Sequence, residues 1–502
     1  MKRLLYIFLC LATLASLPAI AQSVSYPPEV FGIFVEANSR ISTFCRENGL
    51  NILERRVSVE PLIAIPDCQE KEHLAQMVAL AGGSPVIIDK QEDPVIDLWT
   101  KAAGWDGSIM PEGWVTKDNE FSILFYKCVA ERNIPHLGSS SLTEKIDGGL
   151  RRMPESYSSL EEFIHKARIF RRAKSLMDDI FTLDSHCDLP EIYPAGASVG
   201  RRSTTQCNIA KMAEGHLDSQ VLISFLWQGP TDEYSLNKAA EKNFRQIEEI
   251  KADIAKYPLI CGFATNHEEA AELKEQGKKA FFIGVENGYA IGSDLGNIKK
   301  IRDLGAIYIT LCHFRDNNIC NTSSKHGGNP EKGLTEFGRK VVEEMNRQGL
   351  IIDLSHPSRG TFWDCIKLSK APVICSHSGA RAIYGHDRGL DDTQLRALAE
   401  NGGVIQVYTV PEFLTRNQHS SSIDDFMAHF NHCVEVAGPE HVGIGSDFDG
   451  GGGIIGCNGD NDLVNITVRM LEHGYSPDQI KGFWGGNFIR VMKEVQSIAS
   501  RG

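Results

Sequence analysis

The chain has no CxxC pair, no surplus of positive charge, no lipid-anchor signal at its C-terminus and, beyond its first stretch, no apolar run long enough to cross a bilayer. Each absence removes a class of protein. Without CxxC or any compact cysteine spacing, the 13 cysteines do not read as a zinc ribbon or a dithiol redox motif. Several stand inside apolar strand-like runs (Cys261, Cys312, Cys375), where a free thiol acts as a small hydrophobe. They are expected to be mostly buried thiols, with one bridge open among Cys45, Cys68 and Cys128. A net charge of -13 argues against nucleic acid or an anionic membrane surface as partner, although a local basic patch stays compatible with it.

What is present begins with a charged start, Met1-Lys-Arg, followed by apolar residues to position 20 and small residues around Ala19 and Ala21. This is the pattern of a secretory signal peptide over 1–22, so the mature chain is expected in the periplasm or outside the cell. An uncleaved anchor is the competing reading, against which the short apolar core speaks. Residues 23–150 alternate strand-like and helical segments, which implies a small α/β domain with a parallel sheet. Three of its segments, Leu80-Ala-Gly-Gly-Ser-Pro-Val-Ile-Ile88, Trp105-Asp-Gly-Ser-Ile-Met-Pro111 and Asn133-Ile-Pro-His-Leu-Gly138, resemble in order the first half of a class I glutamine amidotransferase-like domain. That family's cysteine elbow is replaced here by Gly138-Ser-Ser-Ser-Leu142, so a non-catalytic module is expected. Residues 151–175 read as a linker or helix.

From residue 176 to 502 a second series of strand and helix units follows, with strands expected at 180–184, 220–226, 260–265, 281–285, 306–312, 350–354, 372–376, 403–408 and 441–446. The helical stretch 338–349 ends in a glycine suited to a C-cap. About eight such units make the length and rhythm of an α/β (β/α)8 barrel of TIM type, with a doubly wound open sheet as the alternative. In a barrel, chemistry collects at the C-terminal strand ends. Those ends carry His186 and Asp188, spaced to share one face of a strand, then Glu286, His313, His356, His377 and Asp447. So many ionisable groups after apolar runs need partners, and a metal site supplies them.

These motifs resemble the membrane dipeptidase (renal dipeptidase) family of zinc metallopeptidases, from about Asp184 to the C-terminus. The resemblance rests on Asp184-Ser-His-Cys-Asp-Leu-Pro190, Gly284-Val-Glu-Asn-Gly288, Leu350-Ile-Ile-Asp-Leu-Ser-His-Pro-Ser358, Pro372-Val-Ile-Cys-Ser-His-Ser378, His441-Val-Gly-Ile-Gly-Ser-Asp-Phe-Asp-Gly450 and Gly485-Gly-Asn-Phe-Ile-Arg-Val491. It implies two zinc ions per chain: His186 and Asp188 on one, His356 and His377 on the other, Glu286 bridging. It further implies His313 as a substrate-binding histidine beside the oxyanion, and Arg388 as the partner of the substrate's terminal carboxylate. Asp447 would carry a proton from the attacking water to the leaving amine, with Asp449 as competitor. Dipeptides are then the expected substrates, and the alternative is another small amide such as a lactam or an N-acyl amino acid. A barrel that only binds is a third reading, against which the complete ligand set argues. A homodimer stays open. One departure from the family stands at Gly402-Gly-Val-Ile-Gln-Val-Tyr-Thr-Val-Pro411, where Tyr408 replaces a pocket-lining Asn-Phe-Tyr-like step. The run Gly450 to Gly453 lacks the lysine and helix of a phosphate loop and reads as a flexible loop at the barrel mouth.

Overall fold

The computed structural model describes the backbone of residues 51–56, 59–66, 84–88 and 160–499, apart from 201–204 and 326. The chain falls into two compact units, Met1–Ser175 and Leu176–Gly502. The expected signal peptide and most of the expected front domain lie outside the described residues. In the first unit, strands β1 (Asn51–Arg56), β2 (Val59–Pro66) and β3 (Ser84–Ile88) form one sheet. β2 and β3 are parallel, but β1 is antiparallel to β2, so this sheet is mixed rather than purely parallel. Only two residues separate β1 from β2, and a connection that short can join only antiparallel neighbours.

The second unit is a nearly closed parallel barrel. Its wall is β4 (Leu183–Cys187), β5 (Ser219–Phe225), β7 (Lys279–Glu286), β8 (Ala306–Thr310), β9 (Ile351–Asp353), β10 (Ile374–Ala380), β12 (Val404–Val407) and β13 (Val442–Ile444), in that order around the ring. The ring closes where Cys187 bridges Phe448 in parallel, just beyond β13. Helices lie between successive strands, as right-handed crossovers require. Every residue of β5, β7 and β8 is buried, as expected of parallel strands covered on both faces. The layer between wall and helices includes Val221, Ile223, Phe282, Ile351 and Val404, together with Phe488, Val491 and Val495 of the C-terminal helix Asn487–Ala499.

All nine expected strands are present, with three shifts. The first runs Leu183–Cys187 rather than 180–184, because the buried Asp184 carboxylate accepts from Ser446 N (2.8 Å) and draws a polar segment into the ladder. The third, β6 (Cys261–Phe263), has three residues and pairs only with the start of β7, so it is not a wall strand. β10 continues past His377 to Ala380 and pairs there with the short β11 (Gly389–Leu390). The helix expected at 338–349 is Glu336–Gln348, closed by Gly349 at φ 71 with its N–H on Asn346 and Met345 carbonyls. A side chain there would be strained, and a Cβ would also lie 2.8 Å from Ala499 Cβ.

Candidate metal centre

Seven expected residues converge at the C-terminal mouth of the barrel. His186 lies within β4 and Asp188 one residue past it; Glu286 ends β7; His356 follows β9; His377 lies inside β10. All five are buried, with at most 4% of their surface exposed. The Glu286 carboxylate stands between two sets of nitrogens. Its Oε1 is 3.0 Å from His356 Nε2 and 3.5 Å from His377 Nε2, while Oε2 is 3.6 Å from His186 Nε2. His186 Nε2 is in turn 3.6 Å from Asp188 Oδ2 and 4.0 Å from Asp447 Oδ1.

A fit to cations follows from what these atoms lack. His186 Nε2 and Asp188 Oδ1 are buried without a hydrogen-bond partner, in a space shared by three carboxylates. Buried atoms left this way carry a large penalty that a metal ion removes. Potential ligand atoms lie within 4.8 Å of one another in three overlapping groups: His186, Asp188 and Asp447; His186, Glu286 and His377; Glu286, His313 and His356. Imidazole nitrogens and carboxylate oxygens form a donor set that suits zinc, and a shared carboxylate suits a pair of ions.

Electrostatics divides the histidines. Burial opposes charge on His186, but Glu286, Asp188 and Asp447 overcome it and push its pKa up to about 10. Burial, with Arg388 nearby, holds His356 and His377 well below the ordinary histidine range, so both are neutral and ready to ligate. His313, half-buried 4.4 Å from the His356 ring, is lowered to about 4 chiefly by burial. Burial raises Asp447 to about 6.

The strain is local to this mouth. Five non-glycine residues have positive φ among the described residues, and His356, Asp447, Asp449 and Asn287 (adjacent to Glu286) are four of them. The left-handed turn separates the two aspartates of the Asp447-Phe-Asp449 segment. Asp447 faces the ligands, whereas Asp449 accepts from the main-chain N–H of Gln206 (2.8 Å) and Cys207 (3.2 Å). Asp449 is therefore held to the Gln206–Cys207 segment, while Asp447 joins His186 and Asp188. Three of the four glycines that follow, Gly450, Gly452 and Gly453, are closely approached: a Cβ on Gly450 would lie 2.0 Å from Asp188 Oδ2 and 2.7 Å from Asp447 Oδ1.

Arg388 is 3% exposed and packs over the Phe413 ring at 5.7 Å. Its Nη2 donates to the His377 carbonyl (3.0 Å), and its Nε has no partner. It borders a shallow cleft that also touches His356, Arg359, Arg381 and Phe362. Tyr408, considered from the sequence as a pocket residue, is fully buried and donates to the Phe413 carbonyl at 3.3 Å. Phe413, in the short helix Pro411–Leu414, presents its ring to Arg388.

The strand-end pattern did not reveal three supporting residues. Tyr308 meets His186 Nδ1 at 2.9 Å. Asp353 accepts from Ser376 N (2.7 Å) and Oγ (2.6 Å), and that Oγ lies 2.9 Å from His377 Nδ1. Asp184 accepts from Ser446 as described above. Their signal was a polar residue inside an apolar strand, as in Ile351-Ile-Asp353. Among the described residues, nine cysteines are buried and unbridged, and no helix is long and apolar enough to cross a membrane.

Comparison with known proteins gives a consistent picture. The profile of the membrane dipeptidase family (peptidase family M19) matches residues 170–502. A dipeptidase of Schizosaccharomyces pombe, described as uncharacterized, is 31% identical over 348 residues, spanning 66% of this chain and 84% of the relative. Among solved structures, the probable dipeptidase PvdM from Pseudomonas aeruginosa superposes with TM-score 0.61 at 24% identity, over 66% of this chain and 99% of that one. A metallopeptidase from Rhodobacter sphaeroides, liganded with a phosphinate mimic of the dipeptide L-Ala-D-Ala, superposes with TM-score 0.57 at 22% identity, over 63% of this chain and 99% of that one. These two likenesses establish the barrel fold.

Proposed function

The chain belongs to the membrane dipeptidase family of metallopeptidases, and from that premise we propose that it is an exported dipeptidase holding two zinc ions. The observation that carries this reading is Glu286, whose two oxygens face separate nitrogen sets: His356 and His377 on one side, His186 on the other. Asp188 completes the His186 side. When bound, the ions supply Lewis acidity and make hydroxide available near neutral pH.

The chain's own groups do the rest. His313, neutral with its pKa near 4, keeps an N–H to donate to the oxygen that gains charge as the peptide carbonyl becomes tetrahedral. Asp447, near 6, both accepts and releases a proton close to neutral pH, which suits transfer to the leaving amine. The Arg388 guanidinium, buried and with an unpartnered Nε, receives the substrate's terminal carboxylate. A lactam or an N-acyl amino acid is the alternative substrate, and the Arg388 clamp suits the terminal carboxylate of a dipeptide and of an N-acyl amino acid alike, so a substrate panel decides between them. Export rests on the signal-like pattern of residues 1–22.

The test is metal analysis and a substrate panel on protein lacking residues 1–22. About two zinc equivalents and turnover of dipeptides above N-acyl amino acids and lactams are expected. A reproducible single equivalent, or preference for the acylated compounds, overturns the reading.

A further inference from the structure

The barrel mouth carries an arc of aromatic rings that the metal chemistry does not use. Trp227, two residues beyond β5, leaves 69% of its surface in water, and Phe314, beside His313, leaves 37%. They are not scattered surface residues. The Trp227 ring meets Phe225 at 5.0 Å and His313 at 5.6 Å, and Phe314 meets His313 at 4.4 Å and His356 at 4.9 Å. The arc therefore begins in solvent and ends on a metal-ligand histidine. A large ring exposed next to a polar site is where apolar surface of a ligand gains most by burial.

The order of strands says which part of the substrate reaches it. In the ring of eight wall strands, β5 stands four places from β10. Arg388 follows β10 and is tied to it through the His377 carbonyl, whereas Trp227 follows β5, so the strand order puts the segments that carry them on opposite sides of the ring. A dipeptide whose carboxylate is held at Arg388 places its first residue on the β5 side. We propose that Trp227, with Phe225 and His313 behind it, binds the side chain of the N-terminal residue and favours large apolar side chains there. This rests on the dipeptidase reading above and adds the substrate class to it.

The experiment compares kcat/KM across two dipeptide series, X-Ala and Ala-X, with X as Gly, Ala, Leu and Phe. Wild type should show a rise of roughly tenfold or more from Gly-Ala to Phe-Ala, the scale for burying an aromatic ring, with a flatter Ala-X series. Trp227→Ala should flatten the X-Ala series, with the loss growing with the size of X, and Trp227→Phe should restore most of the slope. The exposure of Trp227 means that the substitution removes no core packing, and a melting temperature checks this. A flat wild-type X-Ala series, an equal loss on every X-Ala substrate, or size dependence confined to Ala-X would each overturn the assignment of Trp227 while leaving the dipeptidase reading intact. Failure to cleave any dipeptide would overturn both.

Discussion

The Tyr308 hydroxyl and His186 Nδ1 lie 2.9 Å apart, and the direction of that hydrogen bond is fixed. The hydroxyl proton is committed to the Ser185 carbonyl at 2.9 Å, so the imidazole must be the donor. In the neutral ring this leaves the lone pair on Nε2, the nitrogen that faces Asp188 and Glu286. His377 is arranged in the same way: Ser376 Oγ gives its proton to Asp353 and accepts from Nδ1. Such partners orient a ligand and set its tautomer. Tyr308→Phe should therefore keep the fold and lower metal affinity by about 10–100-fold. Competition with a chromophoric chelator measures it, and an unchanged affinity would mean that packing alone orients His186.

Metal uptake should release protons. His186 sits among Glu286, Asp188 and Asp447, and its pKa is pushed up to about 10 in their company, so near neutral pH a cation has to displace a proton. Apparent affinity should then rise with pH, by up to about tenfold per unit for each proton displaced. Calorimetric titration in buffers of different ionisation enthalpy counts those protons. No proton release at pH 7 would contradict the arrangement.

Gly450 leaves room for two carboxylates to approach each other. A methyl group there would lie 2.0 Å from Asp188 Oδ2, closer than any real contact, so either Asp188 or the loop must move. Gly450→Ala should lose most turnover, since a displacement of about 1 Å at a reacting centre costs on the order of 10²-fold. Thermal stability of the metal-free protein should change little by comparison. Full activity in this variant would show that the loop relaxes freely.

A fourth prediction concerns pH and a histidine away from the metals. His429 is buried, accepts from Ala380 N at Nδ1 (3.0 Å) and faces the Leu414 carbonyl with Nε2 (3.0 Å), which fixes it as neutral. Burial lowers its pKa to about 4 from 6.5. The folded state thus binds a proton less readily than the unfolded one. Its contribution is present above about 6.5 and is lost as pH falls toward 4, on the order of 3 kcal/mol in full. In chelator-treated protein, His429→Gln should show a shallower loss of stability between pH 6.5 and 4 than wild type. Parallel slopes would remove His429 from the acid response.

How much of this was legible before the structure depended on where a residue falls in its strand. His186, Glu286, His356 and His377 stand at or near the ends of apolar runs, and the barrel rule turns such positions into one site. Tyr308 and Asp353 lie within the runs, where a tyrosine looks like core and an aspartate like an irregularity; their roles depend on partners from other strands, Ser185 and Ser376. The preference for Asp447 over Asp449 came from the family resemblance alone, because the contacts that hold Asp449 to the main chain of Gln206 and Cys207 join segments far apart in sequence. Trp227 follows a strand, but an exposed tryptophan carries no periodic signal. Only the ring contact with His313 ties it to the mouth.

Substrate length should follow from Arg388. The guanidinium is 3% exposed, its Nη2 is held by the His377 carbonyl, and its Nε lacks a partner. A free C-terminal carboxylate gains charge-assisted hydrogen bonds there, whereas a longer peptide brings an amide that cannot neutralise the cation. Leaving a buried guanidinium unpaired costs several kcal/mol. A dipeptide should therefore exceed its C-terminal amide and its one-residue extension in kcat/KM by roughly a hundredfold or more. Arg388→Ala should lower the dipeptide rate selectively and narrow the gap, and Arg388→Lys should recover little, because an ammonium cannot reproduce the planar fork. The three substrates are to be assayed side by side with wild type and both variants. Equal rates on all three with wild type would remove the clamp, and with it the reason to prefer dipeptides over amides in general.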